Sequence, residues 1–241
     1  MFLKMYDICG LDSRHDIIMR IICIEEAPAM FKTYTIAQIR DTEQRSVACG
    51  VSLAQLMDNA GRALARCALD MNPAQPVIVV CGAGNNGGDG YVCAAELRRL
   101  GLDARVWGIH RDRLIDDSLV GAAAKAYEET GGVIQPLVEG TDAFGSCGLI
   151  IDAVFGTGLS RPVSGVYAHA IRLTRQSGAR VLSCDVPSGI DADTGCVMGE
   201  AVRADVTLML GLAKPACHLN DYFGDARLAD IGIPEAAVAG L

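Results

Sequence analysis

Four consecutive apolar residues, Val77 to Val80, run directly into Cys81-Gly82-Ala83-Gly84-Asn85-Asn86-Gly87-Gly88-Asp89-Gly90, and a helix-like stretch from Tyr91 to Leu100 follows. A buried strand, a glycine-rich turn and a helix start, in that order, describe a cradle for a phosphate or nucleotide. Glycine lets the backbone turn sharply and bring its N–H groups up to an anion with no Cβ in the way. The helix N-terminus adds partial positive charge at the same place. The two asparagines and the aspartate go beyond that cradle. They supply amide and carboxylate oxygens where a dinucleotide loop needs only small residues.

Beyond this unit the pattern alternates. Strands are expected at Val77–Cys81, Ala104–Ile109, Val133–Leu137, Leu149–Val154, Arg180–Cys184 and Val206–Leu210. Helices are expected at Gly88–Leu100, Ser118–Thr130 and Val166–Gln176, and short strands and loops from Pro215 to Ile233. Two further helices precede them, Thr35–Val47 and Ser52–Leu69. In the second, Leu53, Leu56, Met57, Ala60, Leu64 and Cys67 recur at helical spacing behind Ser52 as N-cap. Strands alternating with helices imply a parallel sheet covered on both faces. The expected fold is α/β, a Rossmann-like three-layer αβα sandwich with a mostly parallel sheet and the two N-terminal helices packed on its outside.

In such a sheet ligands bind beyond the carboxyl ends of the strands. Three polar, glycine-bearing segments fall at that edge: Gly82–Gly90, Asp152–Leu159 after Leu149-Ile150-Ile151, and Asp185–Asp191 after Arg180–Cys184. Each carries a carboxylate. Gly82 to Gly87 alone fits G-x-G-x-x-G, a weak signal. A dinucleotide fold also wants an acid near the end of the second strand for the ribose, and only Asp112 is placed to serve.

Composition narrows the function. A net charge of −8 over 241 residues excludes a non-specific nucleic-acid binder, which needs a basic face. No membrane span is expected, since the apolar stretch Ile17–Ile24 is interrupted by Arg20 and is far shorter than the ~20 residues a span requires. Asp7, Asp12 and Asp16 argue against a secretory or organellar leader. Residues 1–30 read as an extension and 31–241 as one domain, with Met30 marking where order begins. None of the ten cysteines is spaced C-x-x-C, so buried reduced thiols are expected, with Cys147 or Cys217 open to reactivity. His110, His169 and His218 are isolated in the sequence and read as structural or exposed; Trp107 reads as packing.

The run Gly84–Gly90, the segments Asp152–Leu159 and Asp185–Asp191, and the pair Lys214-Pro215 together resemble the YjeF N-terminal domain, the family of NAD(P)H-hydrate epimerases. The resemblance runs from about Thr35 to about Ile233. It implies interconversion of the R and S forms of NADHX and NADPHX, nicotinamide cofactors hydrated at C6, by a cytoplasmic homodimer. It also implies coupling to a separate S-specific dehydratase. By position it assigns substrate contacts to Asn85, Asn86, Gly87, Gly88, Asp89, to Gly156, Thr157, Gly158, Leu159, Ser160, Arg161 and Pro162, and to Asp185. It assigns one potassium ion per subunit to Asn86, Asp152 and Ser188. Those donors are hard oxygens, which suit an alkali or alkaline-earth cation rather than zinc.

Within that set Asp185 is expected to be the catalytic acid/base and Asp152 the metal ligand, because neighbouring carboxylates raise one another's pKa and a cation lowers those of its ligands. Lys214 is expected to position a phosphate or tune Asp185. Two other readings remain open on the residues: an NAD-dependent dehydrogenase, and a non-catalytic nucleotide-binding or scaffold module of the same fold.

Overall fold

The computed structural model describes residues 31–241, together with the strand backbones of β1 (Met5–Tyr6) and β2 (Ile21–Ile22). The expectations for Met30 and for the rest of the extension lie outside the described residues. Seven parallel strands build the body of one sheet: β3 (Val77–Cys81), β4 (Ala104–Gly108), β5 (Ile134–Pro136), β6 (Leu149–Ala153), β7 (Arg180–Cys184), β8 (Val206–Leu210) and β9 (Asp225–Ala229). Their spatial order is β9-β8-β7-β6-β3-β4-β5, and β2 joins antiparallel to β9 with β1 outside it. The fold is therefore the expected Rossmann-like α/β sandwich.

β3, β6 and β8 are buried along their whole length, as strands covered on both faces must be. Val77, Val79 and Cys81 of β3 enter one core with α2 (Leu53–Asp70), α3 (Asn85–Arg99) and α4 (Leu119–Glu129). Ile78 and Val80 point to the other face, where Ala170 and Leu173 of α5 (Gly165–Gln176) cover them. The second N-terminal helix is thus part of the main core; Leu64, Ala65, Cys67 and Ala68 of α2 are fully buried. The first, α1 (Ile36–Ala48), sits at the rim. It buries only Ile39, Thr42 and Ser46 and touches the last helix, α6 (Glu235–Val238).

Side-chain caps start α1, α2 and α4, and that of α2 is the expected Ser52. Thr35 and Gln38 form a capping box on α1, and the hydroxyls of Ser52 and Ser118 accept from the N–H groups of Gln55 and Gly121. No such cap starts α5 or α6, nor α3. Helix α3 begins at Asn85 rather than at Gly88, behind Gly84, which offers no side-chain cap. Its glycines serve packing. A Cβ on Gly87 would fall 1.9 Å from the Gly82 carbonyl oxygen, one on Gly88 2.4 Å from Met57 Cε, and one on Gly90 2.6 Å from Ala153 Cβ. The helix is pressed onto β3, β6 and α2, and that close approach offsets a helix penalty of about 1 kcal/mol per glycine.

From β3 the chain moves outward to β4 and β5, then returns to β6 on the other side of β3. The strand order reverses between β3 and β6, so the loops leaving those two strands diverge and open a crevice there.

Candidate active site

A cleft of 450 Å³ occupies that crevice. Its polar floor comes from the three segments at the carboxyl ends of β3, β6 and β7, and contains Asn85, Asn86, Asp89, Gly156, Thr157, Gly158 and Asp185. Leu53, Leu56, Met57, Leu119, Ile231 and Ile233 supply apolar walls, and Tyr167 of α5, packed 4.8 Å from the Phe155 ring, borders it.

Asn86 and Asp185 converge on Gly156. A Cβ at that glycine would lie 2.9 Å from Asn86 Oδ1 and 3.3 Å from Asp185 Oδ2, so a side chain there would intrude between them. Asn86 is 8% exposed, and its Nδ2 has no hydrogen-bond partner among the described residues. A buried polar atom left unpaired this way costs stability, so a ligand is expected to satisfy it.

Asp185 holds a left-handed backbone, φ +68°, uncommon outside glycine but tolerated best by Asn and Asp. Its two oxygens differ. Oδ1 accepts from the Leu210 N–H at 3.0 Å and from the Lys214 ammonium, which also donates to the Leu210 carbonyl at 2.9 Å. Oδ2 has no donor among the described residues and lies beside Gly156, towards the cleft. Lys214 is 1% exposed, so this is a buried ion pair; removing one partner of such a pair costs about 3–5 kcal/mol.

Asp152 sits deeper, 1% exposed, at the end of β6. One oxygen accepts from the Ser188 hydroxyl at 2.6 Å; the other accepts from the Ser183 hydroxyl and the Ser188 N–H, both at 2.9 Å. Ser188 in turn accepts from the Phe155 N–H at 2.8 Å, which ties the β6 and β7 loops together. Burial pushes the Asp152 carboxyl up, and its bonds to Ser188 and Ser183 pull it back. No ion pair compensates it among the described residues.

Two more carboxyls face the same space. Asp89, one turn along α3 from Asn86, is 9% exposed; burial, then the Asp185 charge, push it well above the carboxylate range, against the pull of Lys214. Glu43 of α1 is half-buried and also raised, first by burial and then by Asp185. Nothing in the sequence singles out Glu43, because α1 reads there as an outer helix. The Asp185–Lys214 pair spans 29 residues and matches one of the two roles expected for Lys214, that of tuning Asp185.

Other expected contacts lie elsewhere. Gly87 and Gly88 pack against Gly82 and Met57, and Leu159 joins the small core under α5. Ser160, Arg161 and Pro162 are exposed and do not line the cleft. Asp112, which a dinucleotide fold would need for the ribose, is exposed in a single 3-10 turn away from the cleft. His169 is bound to the Thr141 carbonyl at 2.7 Å, Trp107 packs on Phe144, and burial pushes the Cys147 and Cys217 thiols up, the latter to about 11. His169, Trp107, Cys147 and Cys217 do not line the cleft. Among the described residues no three His, Cys, Asp or Glu side chains converge to hold a metal.

Fold and site define a doubly wound α/β protein with an oxygen-rich, carboxyl-bearing cleft at its switch point. A family profile described as YjeF-related protein N-terminus matches residues 53–216, and the chain belongs to that family. It is 35% identical over 191 residues to an NAD(P)H-hydrate epimerase of Pirellula staleyi, covering 75% of this chain and 83% of that one. It is 36% identical over 206 residues to an NAD(P)H-hydrate epimerase of Limosilactobacillus fermentum, covering 81% of this chain and 95% of that one. A bifunctional NAD(P)H-hydrate repair enzyme of Thermofilum pendens is 41% identical over 174 residues, 68% of this chain; the chain spans only 32% of that relative's length. The crystal structure of the yeast protein ynu0 superposes with a TM-score of 0.69 at 23% identity, over 82% of this chain and 87% of that one, and shares the fold.

Proposed function

We propose that this chain is an NAD(P)H-hydrate epimerase acting on NADHX and NADPHX. The observation that carries the reading is the convergence of Asn86 and the open Asp185 Oδ2 on Gly156, at the place where a doubly wound fold binds nucleotides. The family names of the relatives support it, and so does the exposed position of Asp112, which leaves a conventional dehydrogenase without its ribose ligand.

Epimerisation requires the C6 hydroxyl to leave and water to return on the other face. The free N–H groups at the start of α3 and the Thr157–Gly158 turn receive the diphosphate. Leu53, Leu56 and Met57 shield the ring from bulk water. Asp185 is held by Leu210 and Lys214 through Oδ1 and presents Oδ2 to the reacting carbon, where it accepts the proton of the returning water. Asn86 hydrogen-bonds the substrate.

The donor set also fits a potassium ion. The Asp152 carboxylate is buried with no ion pair among the described residues, the Phe155 carbonyl lies 3.3 Å from the Ser188 hydroxyl oxygen, and Asn86 Oδ1 is turned towards Gly156 at the head of the same loop. Asn86, Asp152 and Ser188 would hold the ion. It would neutralise the Asp152 charge and fix the loops, one ion per subunit. A homodimer in the cytoplasm, working beside a separate S-specific dehydratase, completes the proposal. The described cysteines form no disulfide, as a reducing compartment requires, and no helix among the described residues is long and apolar enough to cross a membrane.

The test is a mixture of R- and S-NADHX with an S-specific dehydratase and its nucleotide. Alone, the dehydratase restores the S portion quickly and the R portion lags; this protein should remove the lag. Asp185→Asn should restore it, with kcat down about 10²–10⁴-fold. A lag that persists with folded wild-type protein and potassium rejects the epimerase reading and favours a non-catalytic module.

A further inference from the structure

Helix α1 lies wholly outside residues 53–216, yet it closes one side of the cleft with Ile39, Arg40 and Glu43. Its position is fixed. The Thr35 capping box starts it, the Ile36 N–H donates to Asp193 Oδ1 at 2.9 Å, Arg45 reaches the Ala239 carbonyl at 3.2 Å, and the preceding Tyr34 N–H donates to the Ala213 carbonyl at 2.9 Å. Glu43 is therefore held at the cleft, yet its carboxyl makes no hydrogen bond or ion pair with any described residue. The charged groups facing it are Arg40 on its own helix, Asp185 after β7, Lys214 after β8 and Asp89 on α3. The orphaned Asn86 amide marks the same cleft as built for a polar ligand.

We propose that Glu43 is a second catalytic residue of this cleft, the acid that protonates the departing C6 hydroxyl while Asp185 takes the proton of the water that returns. The proposal rests on the epimerase reading. Burial and the Asp185 charge raise the Glu43 carboxyl, which favours its protonated form. Asp89 is raised too, but it is almost sealed from solvent and cannot readily exchange a spent proton; half-buried Glu43 can.

The step balances without an oxidant or reductant. Glu43 gives its proton to the hydroxyl oxygen, the C6–O bond breaks, and its electron pair leaves with water. The ring nitrogen lone pair forms the C6–N π bond. Water then adds to C6 from the opposite face, the π pair returns to nitrogen, and the extra proton passes to Asp185 Oδ2. Asp185 then releases that proton to solvent and Glu43 takes one up, which restores both carboxyls. In the reverse direction the two carboxyls exchange roles.

The experiment measures epimerisation of NADHX between about pH 5 and 9 for the wild type, Glu43→Gln and Glu43→Asp, with ADP-ribose affinity by calorimetry as the check of a folded cleft. Glu43→Gln should lower kcat by about 10²–10⁴-fold and abolish the fall in rate on the alkaline side. Its KM and ADP-ribose affinity should stay within about threefold of wild type. A folded Glu43→Gln variant with wild-type kcat and pH profile overturns the proposal and leaves the epimerase reading intact. If Gln at this position prevents folding, Glu43→Asp decides: a lowered kcat with the alkaline limb displaced is expected, and an unchanged profile overturns the proposal. A wild-type protein that does not epimerise NADHX removes both readings together.

Discussion

Four carboxyls stand within or just beneath the cleft, and their surroundings give each a different character. Asp185 has a buried ammonium on one oxygen; Asp152 has four protein donors within reach of its two oxygens; Glu43 and Asp89 have no hydrogen-bond or ion-pair partner among the described residues. Asp89 shows what that isolation does to stability. Its folded value lies well above the ordinary 3.8, so below 3.8 it is protonated in both states and contributes nothing. As pH rises past 3.8 the unfolded chain releases its proton while the folded protein keeps it. Folding stability then falls until the pH passes the raised folded value, and the penalty is full above that. Asp89→Asn removes the titration and keeps the shape. Its melting temperature should therefore exceed that of the wild type by a margin that widens as the pH rises above about 4, reaching on the order of 3 °C or more. A margin that is constant with pH, read by calorimetry at matched ionic strength, would rule out a proton held by Asp89.

At the scale of the element, α3 carries the lesson about glycine. Read as sequence, Asn85-Asn86-Gly87-Gly88-Asp89-Gly90 looks like a turn, because three glycines in six residues oppose a helix. Tertiary packing overrides that preference, and the helix starts three residues earlier than its local sequence indicates. The glycines are not equivalent. The Cβ of Gly88→Ala meets the flexible end of Met57, whereas that of Gly87→Ala meets the backbone of Gly82. Gly88→Ala should cost about 1–3 kcal/mol by denaturant unfolding, and Met57→Ala in the same chain should recover much of it by giving the methyl room. Gly87→Ala should be the more severe and should gain nothing from Met57→Ala. Equal behaviour of the two glycines in that double-mutant cycle would contradict the packing role assigned to Gly88. The strands were easier to read. β3, β6 and β8 are covered on both faces and so appear as unbroken apolar runs, while β9, Asp-Ala-Arg-Leu-Ala at the outer end of the parallel strands, mixes polar and apolar residues and falls in a stretch read only as short strands and loops.

For the whole molecule, three segments spread over residues 82–191 are brought to one edge by strand order alone, which is why their convergence was legible from the sequence once the strands were. The closing wall from α1 was not, since it carries no local pattern, and the choice between the two roles open to Lys214 needed the fold, which sets its ammonium on Asp185 Oδ1. The proposed potassium site tests how these parts work together. Asp152 and Ser188 already link the β6 and β7 loops, and Asn86 stands at the head of α3; an ion held among them would tie three elements that the global unfolding transition must separate. Binding to the folded state alone raises stability by mass action, about 2.7 kcal/mol at a hundredfold excess over Kd. The melting temperature should therefore be several degrees higher in potassium chloride than in lithium chloride at the same ionic strength, since the smaller ion is poorly matched to a fixed cage of oxygens. The difference should vanish in Asn86→Leu, which removes a ligand without adding charge. Identical melting curves in the two salts would leave Asp152 as a purely structural carboxylate, bound by its four donors and needing no cation.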